Sequence, residues 1–327
     1  MKKFLAGVIC ILLLVTAGCA KESQQPQLTR VNIAFQEWVG YGLFYLAQEK
    51  GFFKEEGIDI VFVDEQLDSS RRDAFKIGML DCEAGTLDLL ISKRAQDTPI
   101  TAVMEIDQSA GADGIVAVNN IKSLKDLIGK KVVFVKDDVS ETFLSYLFYK
   151  EGFLMDGITV ISRNPQDVAA AFLNNEADAA ATWEPYLSQA AKRPGSHILI
   201  TTKDEPGIII DTLNIREDIV KNNPKLVKGL MRAYFKALEY YRRHTKEADK
   251  IIARHYDISP EEYARQVTGL KWVDYHQQDD SSEFDEWTRV FNFISEMKFK
   301  NKRIPGKPNV KDCIKTELLK TLYEDSK

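Results

Sequence analysis

Residues 176–187 read EADAAATWEPYL, with Trp183 beside Glu184 and Pro185 closing the run. An indole next to a carboxylate can hold a small molecule, the ring giving an apolar wall and the acid one placed polar group. Other chemically capable side chains are thinly spread. The four histidines (His197, His244, His255 and His276) form no cluster. After Cys19 only Cys82 and Cys313 remain, neither in a metal-ligand or Cys-x-x-Cys spacing, and a disulfide between them is left open. No Ser/His/Asp order or glycine-rich phosphate loop is evident. Metal catalysis has no support, no cofactor is implied, and the expectation is capture of a small molecule, not an enzyme.

The elements that must position these residues come twice. VNIAF (31–35) alternates as a half-buried strand does and precedes an aromatic helix, LFYLAQEKGFF, a break at Gly57 and a second strand, IDIVFV. KVVFV, FLSYLFYKEGFL, a break at Gly157 and ITVIS repeat that order over 131–161. AFKIGMLDCEAGT (74–86) then parallels AFLNNEADAAATW (171–183), which aligns Asp81 with Asp178 and Thr86 with Trp183. Strands alternating with helices imply βαβ units and a parallel sheet in each half. MEIDQSAGADGIVAV (104–118) and HILITTKDEPGIIIDTLNI (197–215) suit a crossing strand and a return strand between the halves. Beyond them, Leu226, Leu230, Ala233, Ala237 and Tyr240 define one helical face, with Pro224 at its first turn. Helical pattern continues through 246–270 and 283–298, and this C-terminal part is expected to pack on the first lobe. Asp81 and Asp178 are expected to cap or turn the chain, and Cys82 to be a buried small residue.

MKKFLAGVICILLLVTAGCA has the positive start, apolar core and small-residue ending of an export signal, too short for a lasting membrane span. Its ending resembles the lipobox of bacterial lipoproteins, with Thr16 where that pattern usually has leucine; the resemblance implies lipidation at Cys19. Residues 20–29, AKESQQPQLT, read as a solvated tether. Removing residues 1–18, which carry two lysines and no acids, takes the net charge from −5 to −7. With no basic block, nucleic acid is not an expected partner.

GLFYLAQEKGFFKEEGIDI, SAGADGIVA and DAAATWEPYL resemble motifs of the nitrate/sulfonate/taurine-type solute-binding proteins of bacterial ABC transporters, in the NMT1/THI5-like superfamily. The resemblance covers about residues 30–275. It implies an α/β type II periplasmic-binding-protein fold, two αβ lobes on a two-strand hinge with the solute between them, and closure presented to a membrane permease and its ATPase. Lobe 1 would comprise 30–110 and 209–300, lobe 2 111–208, and 301–327 a C-terminal tail or helix. A monomer is the default, anchored by lipid on the outer side of a bacterial membrane. The superfamily also contains pyrimidine synthases of thiamin formation, so an exported enzyme or a ligand-sensing lipoprotein is the alternative. The cysteine cluster of those synthases is missing here.

In open α/β sheets, ligands lie beyond the carboxyl ends of the strands, near helix N-termini. Five segments meet that condition. QEWVGY gives Glu37, Trp38 and Tyr41, and CEAGT gives Glu83 and Thr86. DQS gives Asp107 and Ser109, KDDVSET gives Asp138 and Ser140, and TWEPY gives Trp183 and Glu184. Asp211, on the return strand, is added. Arg71, Arg72 and Arg163 fall outside the strand ends. So many carboxylates beside aromatic rings favour an amine-bearing or nitrogen-heterocyclic solute, such as a pyrimidine-type thiamin precursor, ahead of an aminosulfonate such as taurine.

Overall fold

The computed structural model describes residues 27–278 and 281–324; the export signal and Cys19 lie outside them. The chain folds as two mixed sheets. The first has the order β11-β4-β10-β3-β1-β2, from β1 (Thr29–Ala34), β2 (Ile58–Val63), β3 (Cys82–Thr86), β4 (Ile100–Ser109), β10 (Ile210–Arg216) and β11 (Leu270–Trp272). The second has the order β7-β6-β8-β5-β9, from β5 (Asp113–Val118), β6 (Lys131–Phe134), β7 (Thr159–Ser162), β8 (Ala179–Trp183) and β9 (Ser196–Thr201). Three strands in each run parallel, and an antiparallel strand, β10 or β5, lies against the third. The two regions read as single crossings are thus each a pair of strands in different sheets, broken at residues 110–112 and 202–209.

The internal repeat is visible in backbone detail. Gly51 and Gly152 hold left-handed φ values of 76° and 73° after the helices α1 (Gly42–Glu49) and α4 (Val139–Glu151), where a side chain would be strained. Asp81 accepts a hydrogen bond from Asn32 N at 2.9 Å, and Asp178 accepts one from Lys131 N at 2.9 Å. Each aspartate pins the first strand of its half to the turn before the short third strand. Helices α2 (Asp68–Lys76) and α3 (Leu87–Arg94) flank that strand in the first half, and α5 (Pro165–Leu173) and α6 (Tyr186–Ala190) do so in the second.

Helix α7 (Pro224–Arg243) starts with Asn223 accepting from Leu226 N at 3.3 Å. Its buried stripe is wider than the expected face, adding Val227, Met231, Tyr234, Leu238 and Tyr241, because it packs on both α1 and its neighbours. The stretch 246–270 is not one helix. Asp257 takes a left-handed φ of 52° after α8 (Thr245–Ala253), and Ser259 caps a new helix, α9 (Pro260–Gln266). The next residues join the edge of the first sheet as β11. Helix α10 (Ser281–Lys300) buries Trp287, Phe291 and Ile294 against Phe75, Leu90 and Ile91. The tail beyond residue 300 forms two short turns, Val310–Cys313 and Glu317–Lys320, with Leu319 and Leu322 in the core of the first lobe. Cys82 and Cys313 are both buried and free. No helix among the described residues is long and apolar enough to cross a membrane.

Candidate functional site

The loop after β1 forms one wall of the gap between the lobes. Trp38 Nε1 donates to Asp107 Oδ1 at 3.3 Å, and the Tyr41 hydroxyl donates to Asp211. Three consecutive carbonyls fix this loop: Trp38 O accepts from the Tyr256 hydroxyl, Val39 O from the Tyr263 hydroxyl at 3.1 Å, and Gly40 O from Trp272 Nε1 at 3.0 Å. The C-terminal elements thereby hold the aromatic pair in place.

The second lobe meets this wall directly. Trp183, at the end of β8, donates from Nε1 to Glu37 O at 2.8 Å, and the Tyr186 hydroxyl donates to Glu37 Oε2 at 2.8 Å. On the other side, Thr142 of α4 donates to Asp88 Oδ2 at 2.6 Å, an oxygen that also lies 3.0 Å from Lys298 Nζ. Arg303 pairs with Glu141. The lobes are therefore drawn together. Among the described residues, cavities open between the lobes. One, of about 350 Å³, is lined by Asp68, Asp138, Thr142, Lys298 and others; the second, of about 380 Å³, is lined by Phe35, Glu37, Tyr45, Gln166 and His255 among others.

Charge is distributed unevenly in this gap. The bases are buried but already paired: Lys93 with Glu83 at 2.7 Å and with Asp68, Arg71 with Asp68 at 3.2 Å and Glu83 at 3.4 Å, and Lys298 with Asp88. Burial works to raise Asp68, but Lys93 and Arg71 hold it below the usual carboxylate range. Asp107, Asp113, Asp138 and Asp211 have no such base in an ion pair. Burial pushes Asp113 up to about 7, reinforced by Asp88, Asp138 and Glu184. Asp138 also rises to about 7, first through burial and then through Asp68. Asp107 and Asp211 are pushed well above the carboxylate range, again by burial first. Among buried polar atoms of the described residues, Asp113 Oδ2, Asp211 Oδ2, Gln108 Nε2, Thr182 Oγ1 and also Arg71 Nε have no hydrogen-bond partner. Buried polar groups are rarely left so, and a group of them marks a place where something else binds.

The sequence-named residues divide into three sets. Trp38, Tyr41, Asp107, Asp138, Trp183 and Asp211 are buried, Asp138 lining the first cavity, and Glu37 lines the second and bridges the lobes. Thr86 donates to Asp88 at 2.6 Å, and Ser109 meets Thr202 at 2.7 Å across the two linkers. Glu83, Glu184 and Ser140 are committed elsewhere: Glu83 to Lys93, Glu184 to Ser188 N and Oγ at the start of its own helix, and Ser140 to Val135 O at 3.4 Å. Sequence reasoning passed over Arg71, Asp88 and Asp113. The pairing of Asp113 with Trp183 comes from the antiparallel register of β5 on β8, which residue spacing does not encode.

The NMT1/THI5-like family model matches residues 39–248. A putative aliphatic sulfonates-binding protein of Bacillus subtilis is 24% identical over 338 residues, 99% of this chain and 98% of its own. The periplasmic aliphatic sulphonate binding protein SsuA from Escherichia coli superposes with a TM-score of 0.73 at 19% identity, over 89% of this chain and 92% of that one. The periplasmic nitrate-binding protein NrtA from Synechocystis PCC 6803 gives a TM-score of 0.71 at 17% identity, over 92% and 89%. The fold, with its two mixed sheets, is that of periplasmic binding proteins, and the protein belongs to the NMT1/THI5-like family.

Proposed function

We propose that the chain is the solute-binding lipoprotein of an ABC importer, held outside the cytoplasmic membrane through Cys19, acting as a monomer and not as an enzyme. It captures a small organic solute between its lobes and delivers it to a permease and its ATPase. The solute bears a protonated amine or nitrogen heterocycle, a thiamin-precursor-like pyrimidine being the first choice and an aminosulfonate such as taurine the second.

The observation that carries the ligand class is the acid excess in the gap. Arg71, Lys93 and Lys298 are in ion pairs with Asp68, Glu83 and Asp88, which leaves Asp107, Asp113 and Asp211 without a base in an ion pair, while Asp138 feels Arg71 only at longer range. A simple anion placed there would meet these acids, the nearby bases being held in ion pairs, with only Arg71 Nε among them lacking a hydrogen bond. A cation would favour the ionised forms of these buried acids, and the rings of Trp38, Tyr41 and Trp183 would flank it. The relatives named for sulfonates and nitrate support the transport role; the side chains of this gap support a different charge on the cargo.

A thermal-shift screen of the mature, unlipidated chain tests this reading, with ethanolamine, putrescine, cytosine, hydroxymethyl-aminopyrimidine, taurine, ethanesulfonate and nitrate. A ligand at about 100 times its dissociation constant adds about 2.7 kcal/mol, a rise of several degrees. Amines or pyrimidines are expected to give the largest rise. A rise with nitrate or ethanesulfonate alone would retain a binding role and refute the cationic cargo.

A further inference from the structure

Two aspartates occupy equivalent places in the two halves. Asp211, in β10, faces Thr86 across an antiparallel pair, and Asp113, at the head of β5, faces Trp183 in the same way. Thr86 and Trp183 are the aligned residues of the internal repeat. The approximate two-fold relation between the lobes therefore carries Asp113 onto Asp211. Each follows closely on one of the two linkers, 110–112 and 202–209. Both are almost fully buried, at 3% and 1% exposed.

The Tyr41 hydroxyl donates to Asp211, whereas Ser109 Oγ accepts from the Asp113 backbone N–H at 3.1 Å and meets Thr202 at 2.7 Å; in both aspartates Oδ2 has no partner. The largest charged influences on Asp113 are Asp88, Asp138 and Glu184, and those on Asp211 are Asp107, Asp113 and Asp88, all acids, besides the Tyr41 hydroxyl. The bases of the region act one step away, Arg71 on Asp138 and on the Tyr41 hydroxyl, and Lys298 on Asp88. No group of three or more metal-ligating side chains occurs among the described residues, which favours an organic cation over a metal ion. A buried carboxylate oxygen with no partner is costly, and two of them at symmetry-related positions suit one shared positive guest.

We propose that Asp113 and Asp211 form a divided clamp for one protonated nitrogen of the solute, one jaw on each lobe, so that seating the cation draws the lobes together. The clamp rests on the cationic-solute reading above. Because each jaw sits next to a linker, a small rotation there separates or joins the two carboxylates. A guest that touches only one jaw would bind without favouring closure.

The test uses the mature full-length chain as wild type, Asp113→Asn and Asp211→Asn. Without solute, the folded wild type keeps protons that the unfolded chain releases from about pH 4 upward, so its stability falls as pH rises toward about 7. Asparagine removes that penalty. Each variant is expected to melt several degrees above wild type at about pH 8 and to lose part of the pH slope. With whichever of ethanolamine, putrescine and cytosine binds wild type, each variant should bind about 30-fold more weakly or worse. Small-angle scattering should show contraction on binding for wild type only. Variants that melt below wild type at both ends of the pH range, with its slope unchanged, would make the two carboxylates structural acceptors and end the proposal. An amine bound equally by all three proteins would end the clamp and leave the cationic-solute reading standing. Binding of anions alone would end both.

Discussion

Arg71 and Lys93 are charged side chains only 1% exposed, and they survive there because Asp68 and Glu83 neutralise them. Arg71 also donates to the carbonyls of Glu65 and Gln66 at 3.0 Å each, which leaves little of its guanidinium for a ligand. This network fixes the floor of the gap and consumes its positive charge. Removing one partner from such a network exposes the other to an unsatisfied burial. Lys93→Met is expected to cost about 3–5 kcal/mol in urea unfolding, because Glu83 and Asp68 would then share Arg71 alone. A loss below about 1 kcal/mol would mean that Arg71 suffices to hold both acids. None of this was legible in the sequence. Arg71 lies on a helix after β2, away from any strand end, and its reach back to β3 depends on packing that spacing does not encode. Trp183 was legible because it ends a strand that the repeat places, whereas Trp38 and Tyr41 lie in the loop after β1.

The elements built most directly from sequence pattern are the two βαβ halves. Asp81 and Asp178 turn the chain identically, and Gly51 and Gly152 end the aromatic helices alike, so aligned residues carried the architecture. The C-terminal stretch was read less well. Its apolar spacing is helical on both sides of Asp257, and only a left-handed residue followed by a capped proline separates the two helices. Those elements matter for the site, since Tyr256, Tyr263 and Trp272 hold the carbonyls of residues 38–40. Gly40 is the tight point in that loop. A Cβ there would stand 2.3 Å from Asp107 Oδ2 and 2.4 Å from Trp38 Nε1. Gly40→Ala is therefore expected to separate Trp38 from Asp107, cost about 1–3 kcal/mol of stability, and weaken solute binding about tenfold or more. Unchanged affinity by calorimetry would show that the Trp38–Asp107 pair is remote from the solute.

At the scale of the whole molecule, closure is written in contacts between lobes: Trp183 and Tyr186 on Glu37, Thr142 on Asp88, and Arg303 on Glu141. They bring together carboxylates that would otherwise face water from separate surfaces. Their charge state must then depend on what lies between them. Asp113 and Asp138, both raised to about 7, take up protons as the pH falls through that value, and a protonated carboxyl no longer attracts a cation. A cationic guest favours the ionised forms, so its affinity should be greatest on the alkaline side and fall as the gap is protonated. The most direct test is calorimetry of the tightest-binding compound in the screen, from about pH 5 to about pH 8. The expected result is an amine or protonatable heterocycle whose dissociation constant drops as the pH rises through about 7. A tightest ligand that is a plain anion, or a cation bound more weakly as the pH rises while it remains protonated, would contradict it.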